Sequence, residues 1–177
     1  MKTLLAATCL LAFTAGAAFA DSKVELDAKV HEARAELAKH TSAGAALASK
    51  AHGVLVFPRV IKAGLGVGGE FGEGALQVGG RTVGYYNIAA ASIGLQLGAQ
   101  ARTEIILFMT ADALKTFRDS QGWKAGVDGS VALATLGAGG TIDTKTAQKP
   151  IIGFIFSNKG LMYNLTFEGS KITKIEK

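Results

Sequence analysis

The residues that first invite a chemical reading are Gly64-Leu65-Gly66-Val67-Gly68-Gly69, a G-x-G-x-x-G string after the apolar run Val54-Leu55-Val56-Phe57. Such a string cradles a dinucleotide when a helix opens directly after it and an acid stands about 20 residues on to hold the ribose. Here Glu70-Phe71-Gly72-Glu73-Gly74 follows, too rich in glycine to nucleate a helix. Around Ala89, where the acid belongs, the chain reads Ile88-Ala89-Ala90-Ala91. Neither a nucleotide nor a nucleic acid is the expected partner. The block reads instead as a strand with one face free of side chains, open to close approach by another layer. The protein's own helix or strand is the expected occupant, with an acyl chain second.

Other reactive groupings fail on spacing. His31-Glu32-Ala33-Arg34-Ala35 starts like the zinc motif H-E-x-x-H but has Ala35 where the second ligand belongs. His40 and His52 are not at ligand spacing either. No G-x-S-x-G occurs, and the single cysteine, Cys9, lies within the first twenty residues. Glu70 and Glu73 are close enough to suggest paired carboxylates, but an odd offset puts them on opposite faces of a regular strand. Asp128-Gly129-Ser130 reads as an Asx-type turn, and Trp123 as a core anchor. Asn164-Leu165-Thr166 forms a glycosylation sequon inside an expected strand. No enzymatic activity, cofactor or metal is expected.

The elements that would position these residues fall into two parts. Ser22 to about His40 carries Leu26, Val30, Ala33 and Leu37 at i, i+4, i+7 and i+11, one apolar stripe of an α-helix. Thr41 or Ser42 can cap a second, alanine-rich helix to about Ala51. With balanced charge and small apolar residues, this region is expected to pack on its own domain rather than insert into a bilayer. Beyond Gly53 the period becomes two. Leu65, Val67 and Phe71, then Ile93 through Ala101, then Leu161, Tyr163, Leu165 and Phe167 each read as the core face of a strand. Gly79-Gly80, Asn158-Lys159-Gly160 and Gly169-Ser170 read as turns. Ile105 to Met109 and Ile151 to Phe156 are dense enough for central strands. One helix interrupts them, from Ala111 to about Ser120, capped by Thr110 with Leu114 and Phe117 inward. The expected class is α+β: a strongly curved, mostly antiparallel sheet, its closure into a small barrel left open, with N-terminal helices and one central helix.

Met1 to Ala20 has the pattern of an export leader: Lys2, the apolar stretch Leu4 to Phe13, and the small-x-small site Ala18-Phe19-Ala20. Cleavage after Ala20 is expected, with Cys9 too early to be a lipid-bearing cysteine. Residues 21–52 then form a helical segment and 53–177 a β-rich domain, together one globular unit. A periplasmic location follows, compatible with peripheral attachment to a membrane; lipoprotein and secreted forms are the alternatives. Thr82 to Ala101 lacks charge for twenty residues, but Asn87, Ser92, Gln96 and Gln100 make it too polar for a spanning helix.

Charge is informative when divided along the chain. Residues 21–52 carry five bases and five acids, and residues 53–143 carry seven of each. Residues 144–177 hold six lysines against Glu168 and Glu176, so the positive excess lies there. For an exported protein, lipid headgroups are the natural anionic partner. A solvated lysine face that aids solubility is the alternative.

The chain also resembles a known family. Gly53-Val54-Leu55-Val56-Phe57-Pro58-Arg59-Val60 and Lys62 through Gly74 are similar to the opening of the SYLF domain. Val83-Gly84-Tyr85-Tyr86, Ser92 to Gln100, Phe108-Met109-Thr110, Gly122-Trp123, Gly126 to Ala132 and Gly139-Gly140 follow in order. Ile152-Gly153-Phe154 and Gly160-Leu161-Met162-Tyr163 close the match, which runs from about Ala51 to Ile175. The resemblance implies a non-enzymatic lipid-binding module in a bacterial exported member. Relatives in eukaryotes bind phosphoinositides and some bind actin; what carries over is affinity for lipid or an anionic membrane surface. Arg59 and Lys62 lie inside the matching motif and are candidate headgroup contacts, as are Lys159, Lys171 and Lys174 in the basic region. Two other readings stand beside this one: an envelope structural or protein-interaction module, and an outer-membrane barrel. The N-terminal helices, the central helix and the polar end Lys174-Ile175-Glu176-Lys177 count against the barrel.

Overall fold

The computed structural model of the protein describes residues 20–94, 100–137, 140–162 and 165–177. The expected leader ahead of Ala20, the alternation over residues 95–99, Gly139, Tyr163 and Asn164 of the sequon lie outside them.

Helix α1 (Lys23–His40) starts where Ser22 and Glu25 form a capping box, each side chain bonding the other's backbone N–H. Thr41 closes α1 and caps α2 (Ser42–Lys50) through its hydroxyl, which accepts from the Gly44 N–H. A single strand, β1 (Gly53–Val78), then contains the whole glycine block. Gly79 and Gly80 turn it into β2 (Arg81–Gly94), both at positive φ (58° and 79°), as a two-residue hairpin of this kind requires. Next come β3 (Gln100–Phe108), α3 (Ala111–Asp119), β4 (Trp123–Lys124) and β5 (Ala132–Leu133). The short α4 (Thr144–Ala147), β6 (Ile151–Ser157), β7 (Gly160–Leu161) and β8 (Lys171–Ile175) complete the order.

The sheet runs β4-β8-β2-β1-β3-β6-β5, with β7 added to β6, and curls into a half-barrel. All pairings are antiparallel except β5 with β6. The coiling originates in β1. Its first part pairs with β3 and its second part with β2, so the two parts serve different neighbours. At Pro58 and Arg59 the ladder to β3 slips, because proline has no N–H to give; the Thr103 hydroxyl recovers the Pro58 carbonyl at 3.0 Å.

Beyond that bulge the strand folds back over itself. A Cβ at Gly72 would lie 2.7 Å from the Arg59 carbonyl oxygen, and one at Gly74 would overlap the Val56 carbonyl. No side chain fits between the two runs of backbone. The bare face of the glycine block is thus occupied by the strand's own first part, and the block continues as strand where a phosphate cradle would need a helix.

Two cores result. Inside the curl, Leu55, Phe57, Leu76, Tyr86, Ile88, Ile106 and Phe108 pack with Trp123, Phe167 and Ile172, and α3 closes the mouth with Leu114 and Phe117. On the outside, Val54, Val56, Ala75, Tyr85, Ile105, Phe154 and Phe156 pack beneath Leu26, Val30, Ala33 and Leu37 of α1. Burying each of these leucines and the valine contributes about 1.5–3 kcal/mol, enough to hold the helix on its own domain. Polar ties reinforce it: the Tyr85 and Thr82 hydroxyls donate to Asp27 at 2.9 and 3.0 Å, and Arg34 donates to Gln77 at 2.9 Å.

Two expectations are corrected. Val67 and Phe71 are 74% and 46% exposed rather than core, because the glycine side of β1 faces inward and the apolar side outward. Among the described residues the strand expected from Leu161 to Phe167 is limited to Gly160–Leu161; Phe167 still reaches the core, its ring lying where Gly153 has no side chain. No helix among the described residues is long and apolar enough to cross a membrane.

Candidate functional site: a bare sheet face bordered by lysines

The five basic residues singled out in the sequence do not form one patch. Lys171 and Lys174 stand three apart on β8 and point to opposite sides of the sheet: Lys171 is paired with Ala89 and Lys174 with Tyr86. Arg59 is exposed at the β1 bulge, on the rim of a cleft of ≈480 Å³ that also has Lys29, Glu32, Glu36 and Asn158 in its walls. Lys159 is exposed in the β6–β7 turn, next to Asn158. The charges around that cleft nearly cancel.

Lys62 belongs to a different setting. Its ammonium lies 3.3 Å from Glu70, which also receives the Arg102 guanidinium; Arg102 donates to Glu104 at 2.6 Å. All four side chains are 14% exposed or less. Burial pushes the Glu104 carboxyl above the usual carboxylate range, and Arg102 pulls it back. Such a cluster is expensive to break, since removing one partner strands a buried charge at a cost of about 3–5 kcal/mol. Lys62 is therefore held by the fold. Glu73, the other carboxylate of the suspected pair, accepts instead from Lys177 at 2.7 Å and from the Asp21 N–H at 3.2 Å.

What the sequence did not announce is a continuous outward face. Register aligns Phe71, Ala89, Lys171 and Lys124 in one row across β1, β2, β8 and β4. The adjoining row pairs Gly69 with Ala91, and Val67 lies beyond it on the same side of β1. All of these residues are exposed, and Val127, 72% exposed, projects from the turn after β4. Asp128 shapes that turn by accepting from the Lys124 N–H at 2.6 Å. The aliphatic part of Lys171 lies across Gly122. Helix α1 covers this side of the sheet only as far as Ala75 and Tyr85.

Two lysines directly opposite each other on neighbouring strands repel, a cost that an anion nearby removes. Apolar side chains in water beside paired cations can insert into a bilayer surface while the ammonium groups meet phosphates.

Comparison with known proteins decides the relationship. A family model described as "Ysc84: Las17-binding protein actin regulator" matches residues 89–177, just over half of the chain. The chain belongs to the Ysc84 (SYLF) family. No curated protein matches it. The Ysc84 match begins at Ala89, so it takes in Ala91, Lys124, Val127, Lys171 and Lys174 and leaves out Arg59, Lys62, Val67 and Phe71. Within this Ysc84-family chain the lysine border of the bare face falls in the matched segment and its apolar half in the glycine-rich strand ahead of it. Lys124, Val67, Phe71 and Val127 were missed from sequence. Alternation marked Val67 and Phe71 as apolar on one side of a strand, and only the fold shows that side to be uncovered.

Proposed function

We propose that the protein is a non-enzymatic, exported envelope protein that binds the surface of anionic bilayers through the outer face of β1, β2, β8 and β4. The observation that carries this reading is the single cross-strand row in which exposed Phe71 leads through Ala89 to Lys171 and Lys124. Each lysine near an anionic surface contributes about 1 kcal/mol, and partial burial of the Phe71 ring and the Val67 and Val127 side chains adds an apolar term. The leader-like first twenty residues support export, and a periplasmic, membrane-peripheral location suits both. The partners in the family's description, Las17 and actin, belong to the proteins for which the family is named.

Co-sedimentation of the leader-free chain with vesicles of phosphatidylglycerol and phosphatidylethanolamine tests the reading. Binding is expected at low salt, weakening as salt screens the lysines. Lys171→Glu and Phe71→Asp should each reduce it sharply, whereas Lys159→Glu, in the β6–β7 turn away from that face, should leave it nearly unchanged. Absence of binding at low salt would sink the proposal. Detergent-resistant recovery of an envelope protein through the same face would then favour the protein-interaction reading.

A further inference from the structure

On the inward side of the sheet, away from the bare face, a cleft of ≈390 Å³ opens between α3 and the strands β2 and β8. Tyr86, Arg118 and Lys174 line it together with Lys115, Asp119 and Leu114. Lys115 is neutralised by an ion pair with Asp119, one turn along α3. Arg118 and Lys174 have no acidic partner among the described residues. The cleft therefore carries two uncompensated cations.

Tyr86 supplies the second observation. The residue as a whole is 6% exposed, and its hydroxyl, which reaches solvent, has no hydrogen-bond partner among the described residues. The ring is fixed from beneath by Phe117, with centroids 5.0 Å apart. It extends along its own strand over Gly84, where a Cβ would lie 3.2 Å from Tyr86 Cε2 and 3.5 Å from the hydroxyl oxygen. A side chain at Gly84 would press on the ring's edge and shift it slightly. Burial raises the phenol pKa, so the group remains a donor. The hydroxyl is not sealed from solvent, so a phenol held rigidly at the wall of a cationic cleft keeps a donor available to a ligand there.

We infer that this cleft is a binding site for a phosphate ester. Arg118 supplies a planar fork of N–H donors, Lys174 an ammonium and Tyr86 a hydroxyl, a donor set that suits a tetrahedral group with several acceptor oxygens. Leu114 and the half-exposed Val83 form an apolar shelf for the ester's carbon substituent. The site is separate from the proposed docking face, because register puts Lys174 beside Tyr86 and Lys171 beside Ala89 on the other side of the sheet.

The test is isothermal titration calorimetry of the leader-free chain with glycerol 3-phosphate and, separately, sodium acetate. Saturable binding of the phosphate ester is expected, with acetate much weaker. Arg118→Gln and Lys174→Gln should each weaken it by about tenfold or more, the worth of one charge-assisted hydrogen bond. Tyr86→Phe should weaken it severalfold while the thermal midpoint holds, since the hydroxyl has no partner to lose. Vesicles of phosphatidylglycerol distinguish the source. If the Arg118→Gln variant loses vesicle binding as well, the ester is a lipid headgroup; if only glycerol 3-phosphate binding is lost, it is a free metabolite. No saturable binding to either probe, acetate binding as tight as the ester's, or variants that bind like the parent chain would overturn the inference. The docking proposal fails separately, through Phe71→Asp and Lys171→Glu.

Discussion

Ala75 and Phe71 lie four residues apart on the same side of the same strand, yet Ala75 is fully buried and Phe71 is 46% exposed. Their cross-strand partners repeat the contrast: Tyr85 is buried and Ala89 is exposed. Strand chemistry does not separate the two positions. The difference is where α1 begins: the capping box at Ser22 starts the helix above Tyr85, and the sheet beyond is left uncovered. One face of one strand pair thus acts as core under the helix and as contact surface past it.

The largest effect is expected where the whole curl depends on a missing side chain. Gly74→Val forces atoms into the Val56 carbonyl, so the folded state should be lost, a destabilisation of more than about 4 kcal/mol in urea titration. Gly69→Ala, on the uncovered side with its nearest neighbour at 3.6 Å, should move the midpoint little. Comparable losses at the two positions would mean that the glycines do not permit the fold-back.

Next in size is the comparison itself. Leu26→Ala, beneath the helix, should cost about 2–5 kcal/mol through the cavity it leaves. Phe71→Ala should cost under about 1 kcal/mol, as at an ordinary surface position. In the vesicle assay the order should invert, with Phe71→Ala defective and Leu26→Ala competent wherever it remains folded. Equal stability losses would show that Phe71 has a covering partner in the native chain.

The smallest effect is a pH dependence at the boundary between the two regions. Burial, aided by the hydrogen bond to Asp27, raises the Tyr85 phenol from 10.0 to about 12. Below pH 10 both folded and unfolded chains keep the proton, so the stabilisation is complete. Between pH 10 and 12 the unfolded chain loses it first, and stability falls as pH rises through the folded value. Alkaline unfolding followed by circular dichroism should therefore steepen in that window, and Tyr85→Phe should flatten the curve.

Much of this was legible before any fold was known. Leu26, Val30, Ala33 and Leu37, the Thr110 cap, Leu114 and Phe117 inward on α3, and the Gly79-Gly80 turn all follow from local periodicity and capping. The glycine block was legible as a surface that its own chain would cover, because a strand face without side chains admits backbone. Its partner, the stretch from Val56 to Val60, was not legible, since nothing in local spacing specifies a fold-back of that range. The candidate site fared worse. Lys171 and Lys174 looked like one basic patch, and the two-residue period of β8 separates them. Lys62 looked free for a headgroup, and the approach of Glu70 and Arg102 engages it.

By itself the sequence determined helices α1 to α3, though not the short α4, and the β-rich class, the turns and the family, since these depend on residues near one another in the chain. Tertiary structure alone decided which side of β1 faces inward. Apolar residues favour burial on whichever side has a partner, and here the closest partner, the strand's own backbone, could approach only the glycine side. That choice turned Val67 and Phe71 outward, and with them the one face that the fold leaves beside two opposed lysines.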